Sequence, residues 1–394
     1  TNAREMLART SLSYLESLAA DGDAPTELRV EAGLGFLRLA QVVGGGQASE
    51  LGRYEDAAAL LARADNILTP LFDREPNNPL VARAMSQLLL ERAGAALYND
   101  NDPATARAYA MRVQGILRPI AEQSPEAARA YAVALQTQAD TYGWDNDYEA
   151  ALEHHIAAEH FIAGLAPDLR DNVLLMRARA ANSRLLGEAY HRLERNNEAR
   201  AALDRAVALN RAVRDSAPNN PSYIRNLAIS TWYRAVVHRS NRRDIEARAS
   251  IEESVEAARQ LRARDANDAG AIRMLAISEE VYAQVLADLE QFEQSYAVGQ
   301  GVIAAHRDLV VRAENAPGAR RSLAAALMTH GGNSYNAGQF ARACVSWVEA
   351  RDIYRGLDAA GQLSEADRAR ALAQAEDFVA RACAPPRAGL GDRV

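Results

Sequence analysis

Side chains that could hold a metal ion are concentrated in one segment, Glu153-His154-His155-Ile156-Ala157-Ala158-Glu159-His160. On a helix, His155 and Glu159 lie four residues apart on one face, a spacing that can place two ligands on one metal. However, His155 occupies a position that other repeats of the chain fill with a large apolar residue, and neither zinc-protease motif is matched. The pattern therefore favours a packed helix and predicts no metal site.

A second sequence string that could form a binding site is Gly299-Gln300-Gly301-Val302-Ile303-Ala304, which matches the dinucleotide-binding fingerprint letter by letter. That fingerprint holds a pyrophosphate where a strand turns into a helix. The residues before it, Gln291 to Val298, belong to a helical repeat. The string therefore predicts no nucleotide site.

The chain contains no lysine, and arginine accounts for all 45 of its lysine-plus-arginine residues. The phosphate-binding loop, the kinase ATP site and Schiff-base catalysis each require a lysine, so the sequence excludes these chemistries. It also shows no convergent set of nucleophile, base and metal ligand. We therefore expect that this chain is not an enzyme and uses no cofactor.

Composition and charge narrow the range of partners. The 394 residues are 48% hydrophobic and 6% aromatic, with a formal net charge of -7. Nucleic-acid binding needs clustered cations, so we expect no nucleic-acid partner. The sequence has no run of 18 apolar residues, and we expect no direct membrane insertion by this segment. The first residues, Thr1 to Arg4, lack an initiator methionine and a leader pattern, so we expect a piece of a longer protein.

Small residues recur at a nearly constant interval. Seven anchors, separated by 49, 45, 48, 48, 48 and 48 residues, are Ala57, Ala106, Ala151, Ala199, Ala247, Ser295 and Ala343. Twelve residues before six of them stands a second small residue: Gly94, Ala139, Gly187, Ala235, Ala283 and Gly331. Helices that cross closely need small side chains at the crossing, so this period is typical of stacked helix pairs.

The repeat predicts an all-α fold, a right-handed α-solenoid of about seven helix pairs with a capping helix at each end. We expect one domain over 1–383, with repeats over 26–358, capping helices at 3–20 and 364–381, and a disordered tail at 384–394. The expected pairs are 26–43 with 53–74, 79–99 with 103–122, 125–143 with 147–165, 168–194 with 197–215, 221–240 with 244–264, 268–289 with 292–314, and 317–336 with 340–357. A longer loop, 44–52, is either a functional segment or a tolerated insertion.

Each unit follows the tetratricopeptide (TPR) pattern, and the clearest copy is Leu186, Gly187, Tyr190, Ala199, Leu203 and Ala206. The chain resembles TPR proteins, although its units exceed the 34-residue norm by about 14 residues. It also resembles the long-unit TPR tails of bacterial receptor-type serine/threonine protein kinases and some bacterial winged-helix regulators. This second resemblance rests on Arg4–Leu7, Tyr14–Ala19, Glu50–Gly52, Ala343–Trp347, Leu357, Gly361–Ser364 and Cys383. The sequence carries no kinase motif, so any kinase activity would lie outside this chain.

The resemblance implies a concave groove that is lined by the first helix of each pair and takes a protein or peptide. The groove residues mix both charges with aromatic rings: Arg92, Tyr98, Asn99, Gln136, Asp140, Trp144, Arg184, Glu188, His191, Arg192, Trp232, Arg239, Gln284, Asp288, Tyr335 and Asn336. The carboxylate clamp of chaperone-binding relatives is not reproduced, because its positions hold Ala95, Asp140, Glu188, Val236, Gln284 and Gly332. Aromatic and arginine side chains dominate binding hot spots, so we expect most binding energy from Tyr98, Trp144, Arg184, Arg192 and Trp232.

Two functional interpretations follow from the resemblance. In the first, the chain is the non-catalytic sensory or scaffolding tail of a bacterial transmembrane serine/threonine kinase, placed outside the cytoplasm in the periplasm. In the second, it is a cytoplasmic regulatory domain attached to a winged-helix regulator or another scaffold. A solvated face that binds no ligand is the remaining alternative.

The two cysteines, Cys344 and Cys383, lie in the last repeat and at the end of the closing helix. If those helices are antiparallel, a disulfide could join them in an oxidising compartment. Counting ~1.5 Å per residue from the turn gives arms of unequal length, so two buried thiols are the alternative. The closing helix should cover the last repeat with Leu372, Ala373, Phe378 and Val379.

Overall fold

The computed structural model describes residues 24–43, 54–98, 100 and 102–383. The predicted capping helix 3–20, loop 44–52 and tail 384–394 lie outside these residues. The main helices are α1 (Thr26–Val43), α2 (Tyr54–Arg74), α3 (Pro79–Tyr98), α4 (Pro103–Leu117), α5 (Pro125–Trp144), α6 (Tyr148–Gly164), α7 (Val173–Arg192), α8 (Asn196–Ser216), α9 (Pro221–Ser240), α10 (Asp244–Arg264), α11 (Ala269–Asp288), α12 (Phe292–Arg312), α13 (Pro317–Asn336), α14 (Phe340–Ala359) and α15 (Ala373–Ala382).

The chain divides into two compact units, Thr1–Ala217 and Pro218–Val394. Within each unit, every odd-numbered helix from α1 to α13 packs against the helix that follows it, and first helices of neighbouring pairs also contact each other. The surface that the first helices form together is named the first-helix face here. This arrangement is a TPR-like α-solenoid, and the described residues contain no strand, so the predicted fold class is confirmed. One continuous body over 1–383 stays a prediction.

Helix starts follow the sequence signals closely. The side chains of Ser124, Asn172, Asn220 and Asp268 accept hydrogen bonds from backbone amides in the first turns of α5, α7, α9 and α11. Proline occupies the first helical position of α5 and α9, where no amide partner is lost. These caps satisfy donors that a helix otherwise leaves unpaired.

The turn from first to second helix has a fixed geometry in five pairs. Asn146, Glu194, Arg242, Glu290 and Gly338, each 48 residues from the next, adopt φ values of 62°, 58°, 57°, 59° and 72°. Four of the five are not glycine, and left-handed geometry at such residues is uncommon. The backbone of this turn therefore has the same left-handed conformation in all five pairs, whether or not the residue is glycine.

Two predicted helix boundaries are wrong. Helix α4 ends at Leu117 and not at residue 122, because Pro119 has no amide hydrogen and its ring interferes with the preceding turn. Helix α7 begins at Val173 and not at residue 168, because the side chain of Asn172 caps it through the amide of Leu174 at 2.9 Å. A separate helical turn, Pro167–Arg170, precedes it.

The predicted small residues lie where helices cross, with one correction. A Cβ on Gly187 would lie 2.5 Å from Cγ of Leu203, so the crossing of α7 with α8 requires glycine. A Cβ on Gly94 would meet no atom within 4 Å. In that pair the residue at the crossing is Ala93, which is fully buried. Ala93 lies one residue farther from the next anchor, Ala106, than the small residues of the other pairs lie from theirs.

Helix α15 closes the second unit. Phe378 lies 4.7 Å, ring centroid to ring centroid, from Trp347, and Leu372 joins the apolar core beneath. The predicted covering residue Ala373 is exposed, and the fully buried alanine is Ala375, because a π-helical segment, Arg368–Leu372, shifts the register. A disulfide joins Cys344 to Cys383, with 5.2 Å between the two Cα atoms.

Candidate binding surface on the first helices

One stripe of side chains faces the same side on successive first helices. On α5 it consists of Arg129, Gln136, Asp140 and Trp144, and 48 residues later on α7 it consists of Arg177, Arg184, Glu188 and Arg192. Intervals of four and seven residues return to one side of a helix, so each set forms a line along its helix. Because α5 and α7 contact each other, the two lines lie side by side in the first unit.

Asp140 is the centre of this surface. Its pKa is raised to about 7, mainly by burial, while Arg184 opposes the rise and Glu188 adds to it. Arg184 and Glu188 form an ion pair at 3.7 Å between Nη1 and Oε2. Near neutral pH, the carboxyl of Asp140 therefore changes charge beside an ion pair of the next first helix.

His155, on the second helix of the same pair, forms the floor beneath Asp140. Its Nε2 lies 3.6 Å from Oδ1 of Asp140. The imidazole is 3% exposed, and burial lowers the pKa of His155 to about 4. At neutral pH the ring is therefore uncharged and serves as a polar packing element.

The remaining part of the histidine segment also has a structural role. His154 stacks on Tyr142 with 4.8 Å between ring centroids, and the guanidinium of Arg107 lies 3.9 Å from the centroid of Tyr142. Within the described residues, no three histidine, cysteine, aspartate or glutamate side chains gather as a metal site would require.

Trp144 is the main exposed aromatic group on the stripe. It is 43% exposed and follows Asp140 by one helical turn. Arg192, at the equivalent position of α7, is exposed, and its guanidinium lies 5.8 Å from the centroid of the Tyr148 ring. Gln136 is buried and donates to the carbonyl oxygen of Ala178 at 2.9 Å, so it joins the two first helices and does not face a ligand.

In the second unit, several predicted groove residues are engaged within the chain. Arg239 on α9 bonds Asp288 and, at 2.9 Å, Gln284, both on α11. The indole of Trp232 donates to the carbonyl oxygen of Ile277 at 3.2 Å, and Trp232 packs against two apolar clusters. Trp232 therefore packs within the second unit, and its binding role stays a prediction.

Of the last two predicted groove residues, Tyr335 is partly buried and Asn336 is exposed. Tyr335 packs against Phe340 and Trp347, at 5.0 and 5.4 Å between ring centroids. Asn336 is exposed at the end of α13.

At the other end of the predicted groove, Arg92 lies away from the first-helix face. Its Nη2 bonds Asp65 on α2 at 2.7 Å and its Nη1 contacts Tyr109 on α4 at 3.5 Å, so it ties first and second helices together. The side chain of Tyr98 and all of Asn99 lie outside the described residues. His191 is half-buried.

One row of residues on the first helices was not predicted from the sequence. The fifth residue of every first helix from α3 to α13 is arginine: Arg83, Arg129, Arg177, Arg225, Arg273 and Arg321. The signal was present as arginines at intervals of 46, 48, 48, 48 and 48 residues. Charged residues are common on helix surfaces, so the interval gains meaning only once the helix starts are known.

The structure explains the glycine string that begins at Gly299. Gly299 lies inside α12, where a Cβ would come within 2.2 Å of Nδ1 of His330, so the glycine makes room for that ring. Within the described part of the chain, no helix combines the length and apolar character that a membrane span needs.

Comparisons with known proteins agree with the fold. No protein-family model and no curated protein sequence matches the chain. The apo form of RapI is 9% identical, covers 82% of this chain and 75% of its own, and has a TM-score of 0.52. A signal-transduction ATPase with numerous domains and a tetratricopeptide repeat sensor, from Pyrococcus horikoshii, is 11% identical with a TM-score of 0.53.

The second of these matches covers 85% of this chain but 45% of the signal-transduction ATPase. At such low identities the likeness concerns the fold alone. The fold is a TPR-like α-solenoid.

Proposed function

We propose that this chain is a non-catalytic repeat module that binds a protein or peptide on its first-helix face. The observation that carries the proposal is Trp144, which is 43% exposed on the stripe of the first unit, one turn from Asp140. Tryptophan and arginine dominate binding hot spots, and Trp144 and Arg192 occupy equivalent positions of neighbouring first helices. An exposed aromatic group beside charged residues suits an extended segment with both apolar and polar side chains.

The experiment is selection of a peptide from a randomised displayed library, followed by fluorescence polarisation with the selected peptide. The double variant Trp144→Ala/Arg192→Ala should weaken binding by at least ~2 kcal/mol, about thirtyfold. Phe340→Ala is the matched control, because Phe340 is also exposed, at 52%, but begins a second helix in the other unit. Equal affinities of the peptide for the wild type and the double variant would show that it does not bind to the first-helix face.

We further propose that the chain is the tail of a bacterial transmembrane serine/threonine kinase and lies outside the cytoplasm. The disulfide between Cys344 and Cys383 supports an oxidising compartment. The alternative is a cytoplasmic regulatory domain of a winged-helix regulator. The coding sequence upstream of Thr1 decides between them, since the first requires an apolar span of about 20 residues and the second a basic winged helix.

A further inference from the structure

A cleft of about 360 Å³ lies between α6 and the turn that leads from α7 to α8. Four of the residues that line it belong to α6 and two to the turn: Glu149, Leu152, Glu153, Ile156, Leu193 and Arg195. Leu152 is buried in an apolar cluster with side chains of α7 and α8, and Ile156 and Leu193 are half-buried against the same cluster. The floor of the cleft is therefore apolar and partly open to solvent.

Two carboxylates lie at the rim of this cleft. Glu149 and Glu153 are both exposed and four residues apart, so they share one side of α6. Among the described residues, neither carboxylate accepts a hydrogen bond or forms an ion pair. Arg195 is already engaged, because its Nη2 lies 2.9 Å from Oε1 of Glu198 and its guanidinium lies 4.7 Å from the centroid of the Tyr190 ring. The cleft therefore presents negative charge beside an apolar floor.

Another repeat fills the corresponding place with its own charged side chains. Two repeats later, Arg248 and Glu252 occupy the positions on α10 that Leu152 and Ile156 occupy on α6. Nε of Arg248 lies 2.8 Å from Oε1 of Glu252. On α10 the chain thus supplies the cation for its own carboxylate, whereas on α6 both positions are apolar and a partner can supply the cation.

The cleft adjoins the stripe on the first-helix face. The guanidinium of Arg192, a stripe residue, lies 5.8 Å from the centroid of the Tyr148 ring. Each of these two residues directly precedes a residue that lines the cleft, Leu193 and Glu149. A segment that is bound at Arg192 can therefore place one of its own side chains in the cleft.

We propose that this cleft binds a lysine or arginine side chain of the protein or peptide that binds to the first-helix face. The inference rests on the proposed function and adds the charge of the partner. The aliphatic stem of the basic side chain packs on Ile156 and Leu193, while its charged end reaches Glu149 and Glu153. Basic side chains commonly bury their stems on apolar surface in this way, and their hydrogen bonds to carboxylates are strengthened by charge.

The test repeats the library selection on the wild-type chain and on Glu149→Gln/Glu153→Gln. Peptides selected on the wild type should carry lysine or arginine at one position more often than the starting library does, and the variant should lose this enrichment. Glu122→Gln/Glu126→Gln is the charge-matched control. These two glutamates are also exposed and four residues apart, but they lie at the start of α5, whereas Trp144 ends that helix. The enrichment should remain in the control.

A thermodynamic cycle then isolates the contact in fluorescence polarisation. In a selected peptide, norleucine replaces the basic residue, so an aliphatic stem remains and the charge is removed. The replacement should weaken binding to the wild type and to the control variant at least about fivefold, and binding to Glu149→Gln/Glu153→Gln less than about twofold. The larger effect should shrink as salt is added, because the contact is ionic.

Selected peptides that depend on Trp144 but show no enrichment of basic residues would overturn the inference and leave the proposed function standing. Equal losses from norleucine in the wild type and in Glu149→Gln/Glu153→Gln would also overturn it. Conversely, peptides that keep the cleft-dependent preference for a basic residue but bind Trp144→Ala/Arg192→Ala as tightly as the wild type would support the cleft and remove the first-helix face from the proposed function.

Discussion

Asn182 makes two hydrogen bonds to His155: its amide donates to the carbonyl oxygen at 2.9 Å, and its Oδ1 pairs with Nδ1 at 3.0 Å. Because Oδ1 can only accept, Nδ1 carries the hydrogen and Nε2 presents its lone pair toward Asp140, 3.6 Å away. Burial lowers the pKa of His155 to about 4 and raises that of Asp140 to about 7. Between these values the folded pair holds one proton, on Asp140.

In the wild type, the effects of Asp140 and His155 on the pH dependence of the free energy of unfolding should cancel. In the unfolded chain the pKa values are 6.5 for histidine and 3.8 for aspartate, so between about pH 4 and 6.5 the unfolded pair also holds one proton, on His155. Folding then binds no net proton, and the pair adds no slope to the free energy of unfolding. Each single variant should reveal a slope of opposite sign.

Asp140→Asn leaves only His155, whose folded pKa is depressed. Stability should therefore fall as the pH drops from about 6.5 to 4, by up to ~1.4 kcal/mol per pH unit. His155→Gln leaves only Asp140, whose folded pKa is raised, so stability should fall as the pH rises from about 4 to 7. Solvent screening should make this second slope smaller, because the side chain of Asp140 is 23% exposed.

Urea titrations at several pH values measure both slopes relative to the wild type. Parallel profiles for the wild type and Asp140→Asn would show that His155 does not titrate as its burial implies.

Two glycines on first helices should respond oppositely to alanine. At Gly187 a Cβ would lie 2.5 Å from Cγ of Leu203 and 3.2 Å from the carbonyl oxygen of Ala199, so Gly187→Ala should destabilise the chain by ~1–3 kcal/mol. At Gly94 a Cβ meets nothing within 4 Å, so Gly94→Ala should stabilise the helix by roughly 0.5–1 kcal/mol. Urea unfolding of the two variants tests the pair, and changes of the same sign would contradict the assigned crossing positions.

Helix pairing could be predicted from the sequence because local signals agree with the repeat. Helices α9 and α10 match the predicted ranges 221–240 and 244–264 at both ends. A proline at the first position and an asparagine cap fix the start of α9, and the left-handed residue Arg242 turns the chain. The end of α4 was missed although its signal, Pro119, is in the sequence.

The binding surface was harder to predict, because a side chain's partner depends on how helices far apart in the sequence are placed. The helical period can show that Arg92 and Trp232 lie near one side of their helices. It cannot show that Arg92 bonds Asp65, 27 residues earlier in the sequence. Nor can it show that Trp232 donates to the carbonyl oxygen of Ile277, 45 residues later. Both residue types suit a hot spot, and both side chains also make hydrogen bonds within the chain.

Trp144 and Trp232 should therefore separate stability from binding. Trp232→Ala removes a half-buried ring and its hydrogen bond to Ile277, and it should lower the free energy of unfolding by about 3 kcal/mol. Trp144→Ala should change stability by less than about 1 kcal/mol, because the ring is 43% exposed. Urea unfolding of both variants, with the library-selected peptide as the binding probe, measures the difference. A larger stability loss for Trp144→Ala would reverse the assignment.

The disulfide between Cys344 and Cys383 should hold the closing helix in place. The cysteines are 39 residues apart in sequence, and cross-linking a loop of this length stabilises a protein by roughly 2–4 kcal/mol, mainly through the unfolded chain. Reduction should therefore lower the free energy of unfolding and speed amide hydrogen exchange in α15, where Phe378 covers Trp347. The variant Cys344→Ser/Cys383→Ser is the control, since reductant should leave its exchange unchanged. Intact mass before and after reduction reports the bond directly, and protein recovered from an oxidising compartment without a gain of two hydrogens would contradict the cross-link.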